Sequence, residues 1–190
     1  MATLTVEISA RHIHLCQEHI DILFGKGHEL TKKRDLSQPG EFLCEERVKV
    51  KGEKSAFESM AVLGPARPKT QVEISLTDAR SIGVVAPIRE SGDVAGSGSC
   101  EITGPNGSVT LGEGVIAAKR HLHLTPASAA EFGVADKQIV SVRVEGERAL
   151  TFDEVVVRVR DTFNTCMHID TDEANAASIT GDVQGTVIAE

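Results

Sequence analysis

One short phrase occurs twice in this chain, as Arg11-His12-Ile13-His14-Leu15 and as Arg120-His121-Leu122-His123-Leu124. Its residues are the best suited to chemistry anywhere in the sequence. In extended backbone, side chains alternate between faces, so both histidines of a copy share one face while Ile13 or Leu122 takes the other. Two neighbouring neutral imidazoles can grip one divalent metal ion.

The duplication runs further and gives each grip a third donor. Phe57-Glu58 precedes residues 70–75, and Phe152-Asp153 precedes residues 165–170, at a constant offset of 95. In that register Glu73 falls on His168, and Asp78-Ala79 falls on Glu173-Ala174. The donor sets are therefore His12, His14 and Glu73 in one copy, and His121, His123 and His168 in the other. Three nitrogen and oxygen ligands with one open position are the usual arrangement of a catalytic zinc, and the doubled set implies two such ions. The competing explanation is a repeated scaffold whose histidines only pack or hydrogen-bond, because repeats align equivalent positions whatever their use. His19 and His28 have no counterpart in the other copy and read as ordinary packing or surface histidines.

An anion is the natural partner of such a centre. Gly64-Pro65-Ala66-Arg67-Pro68-Lys69 is a proline-held turn leading into the strand that carries Glu73, and a guanidinium fixed there could clamp phosphate or carboxylate through two parallel hydrogen bonds. Arg89, in Pro87-Ile88-Arg89-Glu90-Ser91-Gly92, is a second and weaker phosphate-binding candidate. The Gly- and Ser-rich stretch 91–99 reads as a mobile loop. It lacks the lysine and the following Ser or Thr of a P-loop.

The elements that must position these residues are mostly strands. Residues 46–51, 71–75, 139–144 and 154–160 alternate Val or Ile with polar residues, the period of half-buried strands. Gly104-Pro105-Asn106-Gly107 lies between two such runs and predicts a hairpin. A short helix follows each histidine pair. Thr125 caps one with Pro126 at its first position, ending at Gly133; the other spans residues 17–24 and ends at Gly25. Its cap position is Cys16, a poor acceptor, which predicts a start weaker by ~1 kcal/mol.

Composition narrows the function classes. The 190 residues carry 28 acidic against 20 basic side chains, with no run of Lys or Arg longer than Lys32-Lys33-Arg34, so the footprint of a nucleic-acid binder is missing. No stretch of eighteen or more apolar residues occurs, and the N-terminus runs directly into strand-like residues 3–8 without a leader. The expected setting is the cytoplasm, with no membrane partner. The four cysteines are scattered without a C-x-x-C pair and read as buried thiols. There is no Trp or Tyr, so a nucleotide-like ligand must be held by polar and aliphatic groups.

The phrases SARHIHL (9–15), VLGPARPKTQVEIS (62–75), PIRESGD (87–93), KRHLHLTP (119–126) and MHIDTDEANA (167–176) resemble the phosphate propanoyltransferase family in order and at matching spacing. The resemblance implies a reversible exchange of an acyl group between coenzyme A and phosphate. It implies a mainly β fold of two β-barrel domains capped by short helices and related by internal duplication, working as a homodimer. One barrel takes residues 1–10 with 119–190 and the other residues 11–118, which brings both metal sets to one cleft. Two zinc ions are implied, one on His12, His14 and Glu73 and open to the coenzyme sulfur, the other on His121, His123 and His168 and open to phosphate. Arg67 falls on the phosphate-binding, catalytic arginine. Ser9, Leu63 and Asn175 match coenzyme A contacts, and Arg34 keeps the charge of a lysine found in relatives. Ala61 departs from an arginine present there in some members.

The implied mechanism is direct transfer without an acyl-enzyme, which leaves Cys166 dispensable. Propanoyl and acetyl both suit the acyl group, the first as in propanoate metabolism and 1,2-propanediol degradation. Some relatives carry an N-terminal extension that directs them to a bacterial microcompartment; with the first strand beginning by Thr3, none is expected here. A di-zinc thioester hydrolase and a non-enzymatic, metal-dependent anion sensor would use the same ligands and are the alternatives.

Overall fold

A computed structural model describes residues 2–188. In chain order its strands are β1 (Thr3–Ile8), β2 (His12–His14), β3 (Lys32–Asp35), β4 (Phe42–Lys51), β5 (Ala56–Gly64), β6 (Gln71–Glu73), β7 (Ile88–Arg89), β8 (Gly98–Thr103), β9 (Ser108–Ala118), β10 (His121–Leu124), β11 (Ile139–Val144), β12 (Leu150–Val159), β13 (Cys166–Ile169) and β14 (Val183–Ile188). The helices are α1 (Gln17–Phe24), α2 (Leu76–Ile82), α3 (Pro126–Phe132) and α4 (Thr171–Ala176). The fold is mainly β, as the resemblance implies, with two closed six-stranded barrels and four short helices. None of these helices is long and apolar enough to cross a membrane.

The chain divides into two compact units, Arg11–Ala118 and Met1–Ala10 with Lys119–Glu190; positions 1, 189 and 190 of the latter lie outside the described residues. In the Arg11–Ala118 unit the ring runs β4, β5, β2, β6, β9, β8 and back to β4, with β3 and β7 added at its margins. In the other unit it runs β1, β13, β10, β12, β11, β14 and back to β1. Ile13, Leu15, Val62 and Val72 fill the first barrel, and Leu122, Leu124, Val157 and Met167 fill the second, all fully buried. Each such side chain stabilises by about 1.5–3 kcal/mol relative to exposure. The alternation fixes the rest: with Ile13 or Leu122 facing the apolar interior, the flanking histidines face away from it.

The repeat is visible in the strand register. β2 lies between parallel β5 and antiparallel β6, with His12 opposite Ala61 and Glu73. β10 lies likewise between parallel β12 and antiparallel β13, with His121 opposite Val156 and His168. The arginine that opens each phrase ties its strand to a helix. Arg11 lies 4.3 Å over the Phe57 ring and pairs with Asp78 at 3.1 Å; Arg120 lies 5.7 Å over Phe152 and pairs with Glu173 at 3.4 Å. The residues matched by the offset of 95 are thus joined in space by the same device.

Local structure departs from the sequence expectations at the strand that leads into α2. The strand expected over 71–75 stops at Glu73, because Ser75 turns out to cap α2 by accepting from Asp78 N–H. α4 has a full capping box between Asp170 and Glu173. Gly133 takes the left-handed cap conformation at φ 68°, whereas Gly25 sits at φ 113°, ψ 148° and closes α1 through its N–H to Asp21. Cys16 makes no side-chain cap bond, as expected.

Candidate active site

The structure gathers both proposed donor sets. The ligand-capable atoms of His12, His14 and Glu73 lie within 4.8 Å of one another, as do those of His121, His123 and His168. In the Arg11–Ala118 unit, His12 Nε2 stands 3.6 Å from Glu73 Oε2. The other carboxylate oxygen is already engaged: Glu73 Oε1 accepts from Gln71 Nε2 at 2.5 Å and from Ser91 Oγ at 2.9 Å. Gln71 in turn accepts from the Gly92 N–H at 2.7 Å. The stretch read as a mobile loop therefore begins with a residue bound into the centre, because Ser91 can donate to Glu73 while accepting from Gln71 and Arg67.

Arg67 is fixed at both ends of its guanidinium. Nη1 donates to Ser91 Oγ at 3.2 Å and Nη2 to Glu41 Oε1 at 2.9 Å, with both partners of the Arg67–Glu41 pair partly open to solvent. Arg89 is placed differently, since its Nε meets Asp93 Oδ2 at 3.6 Å. Leu63 and Arg34 share a row of paired positions that starts at a proposed ligand: His14 on β2, Leu63 on β5, Leu43 on β4 and Arg34 on β3. Paired residues stand on one face, so this row extends roughly 14 Å at about 4.8 Å per strand.

In the other unit, His121 Nε2 and His123 Nε2 approach to 2.9 Å, and His121 Nδ1 contacts the Lys119 carbonyl at 2.8 Å. Phe163 packs edge-on against His123 with centroids 4.4 Å apart. Arg158 pairs in register with His123. His168 Nε2 contacts Glu7 Oε2 at 3.2 Å and Cys166 Sγ at 3.5 Å. Ser9 N–H donates to the Ile169 carbonyl at 2.8 Å, just ahead of α4, and Asn175 is exposed near the end of that helix.

Electrostatics prepare His14, His123 and Glu73 for a cation, whereas His168 must give up a proton to bind one. Burial, with His12 and Arg67 nearby, holds His14 well below the usual imidazole range, and burial with His121 and His168 lowers His123 to about 2. Both rings are therefore neutral, the form that binds metal. Burial alone would raise Glu73, but His12, His14, Ser91 and Arg67 outweigh it and lower the carboxyl to about 2. His168 is also pushed down by burial, yet Cys166 and Glu7 beside its ring bring it up to about 10. Among the described residues, His14 Nδ1 and His123 Nδ1 are buried without a hydrogen-bond partner. A buried, neutral, unsatisfied imidazole nitrogen in each set suits the addition of a metal ion, so the donor chemistry fits zinc. No cysteine forms a disulfide, and burial pushes Cys44 and Cys100 up to about 12, as inert core thiols.

Glu7, Glu41, Gln71, Ser91, Arg158 and Phe163 are the neighbours that sequence reasoning does not single out. Gln71 alone has a local signal, since it stands two residues from Glu73 and so on the same strand face. Arg158 is the repeat partner of Leu63 at the offset of 95. The others depend on pairings between distant segments.

Comparison with known proteins places the chain in a family. The model of the phosphate propanoyltransferase family matches residues 5–180. A phosphate propanoyltransferase of Clostridioides difficile is 53% identical over 98% of this chain and 88% of its own length. Those of Listeria monocytogenes and Thermotoga maritima are 51% and 50% identical over 96% and 95% of this chain, and 86% and 87% of their own lengths. With matches of this extent, the chain belongs to the phosphate propanoyltransferase family and is an acyltransferase of that kind.

Proposed function

We propose that this phosphate acyltransferase works with two zinc ions, one held by His12, His14 and Glu73 and the other by His121, His123 and His168, on propanoyl- or acetyl-coenzyme A. The observation that carries the reading is one buried donor arrangement built twice, in the same strand register, within a family that exchanges acyl groups. Zinc in such sites acts as a Lewis acid that lowers the pKa of a bound thiol and holds phosphate oxygens.

The chain's own groups do the rest. Ser91 and Gln71 occupy Glu73 Oε1 and leave Oε2, on the His12 side, as the oxygen that would hold the ion. Glu41 and Ser91 hold the Arg67 guanidinium flat and partly open, and a phosphate oxygen pair can replace the Glu41 carboxylate on it. The row from His14 through Leu63 and Leu43 to Arg34 supports a coenzyme whose sulfur end lies by the imidazole and whose anionic end lies by the guanidinium. Ser9 and Asn175 are proposed as further coenzyme contacts. Arg89, paired with Asp93, stays a secondary phosphate contact in this reading.

Phosphate is already ionised near neutral pH, so its oxygen attacks the thioester carbonyl once positioned, without a dedicated base. The new C–O bond forms as the C–S bond breaks and the coenzyme leaves as thiolate. No side-chain nucleophile takes part, and the working form is a homodimer. Acyl phosphate synthesis after exhaustive chelation tests the reading. Loss of activity with recovery on adding zinc is expected; full activity in a sample verified as metal-free contradicts it.

A further inference from the structure

The five donors around His168 form two overlapping sets. His121 and His123 belong to one, Glu7 and Cys166 to the other, and His168 to both. Glu7 comes from β1, a distant part of the chain, and sits opposite His168 in the parallel β1–β13 ladder. Its repeat counterpart is Ile116, which is also five residues ahead of a histidine pair and opposite Glu73 in the parallel β6–β9 ladder. One centre thus has a carboxylate on its ligand strand with an apolar neighbour. The other has an imidazole on its ligand strand with a carboxylate neighbour.

Charge gives this exchange a meaning. A divalent ion on two imidazoles and Glu73 has one of its charges neutralised, whereas the same ion on three neutral imidazoles has none. Metal-binding histidines commonly pass their second ring nitrogen to a carboxylate, which fixes the ring and strengthens the ligand. We infer that Glu7 is a positioning residue of the three-imidazole centre, holding His168 through Nε2 and supplying the negative charge that Glu73 supplies in its counterpart. The inference rests on the two-metal reading above. Cys166 contacts the same nitrogen at a longer distance and carries no charge-balancing role in it.

Metal binding to the whole chain tests it, with zinc per chain and cobalt as a spectroscopic probe. Glu7→Ala is expected to weaken one of the two metals by about 10–100-fold in chelator competition, to leave the other unchanged, and to shift the visible bands of the cobalt form. Glu7→Gln keeps an acceptor but loses the charge, and is expected to weaken the same metal at least threefold; it decides alone if the alanine variant does not fold. Thr3→Ala, an exposed change on the same strand, is expected to alter neither affinity nor spectrum. Wild-type affinity within twofold in the Glu7 variants, or equal losses in Thr3→Ala, overturns the role of Glu7. His121→Ala separates the two levels: if it retains both metals, the two-metal reading itself fails. If it loses one while the Glu7 variants lose none, only the inference falls.

Discussion

At the scale of single residues, Arg67 and Cys166 make opposite claims. Arg67→Ala removes two charge-assisted hydrogen bonds, each worth about 1.5–3 kcal/mol, so the phosphate KM should rise at least tenfold while zinc per chain stays constant. An unchanged phosphate KM would contradict its role. Cys166→Ser should keep turnover and both metals, because direct transfer needs no thiol; loss of turnover with metals retained would point to an acyl-enzyme. The candidate donors of both sets were legible from spacing, since alternation puts each histidine pair on one face and the offset of 95 sets Glu73 in register with His168. Glu7 and Glu41 were not, because each reaches its partner across a pairing that no local pattern encodes.

At the scale of elements, caps and anchors decide how firmly the site is held. Thr125 accepts from the Ser128 N–H at 3.1 Å, and Thr125→Ala should cost about 1 kcal/mol in denaturant unfolding. Cys16→Ala should cost less, since no cap bond is lost. Glu46 anchors the segment that carries Lys32, Lys33 and Arg34, accepting from the Thr31 N–H at 3.0 Å and contacting His28 Nε2 at 2.7 Å. Burial opposes its charge, but His28 and Thr31 prevail and lower its pKa. A depressed carboxyl stabilises the fold above its ordinary pKa, and that contribution fades as pH falls through the folded value. Glu46→Gln should therefore destabilise by about 1–3 kcal/mol at neutral pH, with the gap to wild type closing below pH ~4.5; a gap independent of pH would contradict the assignment. The helices after the histidine pairs announce themselves by Thr-Pro and Phe-Gly. α2 and α4 are only six or seven residues long, too short for a periodic signal, although Ser75-x-x-Asp78 and Asp170-x-x-Glu173 are capping patterns that mark their starts.

At the scale of the whole molecule, the duplication explains both the fold and its cut. β1 precedes the first histidine pair yet closes the barrel of residues 119–188, while β9 precedes the second pair yet closes the barrel of residues 11–118. Alternation reveals strands, but the assignment of β1 and β9 to barrels depends on long-range pairing, which periodicity does not encode. Under the proposed reading, a repeated barrel with one carboxylate-bearing and one all-imidazole donor set would give two metal centres of different character, one for sulfur and one for phosphate oxygen. The direct test is coenzyme release from propanoyl-CoA by protein of verified zinc content, with and without phosphate. Release that requires phosphate and is matched mole for mole by acyl phosphate is the predicted result. Release at the same rate without phosphate would contradict the account and identify a hydrolase.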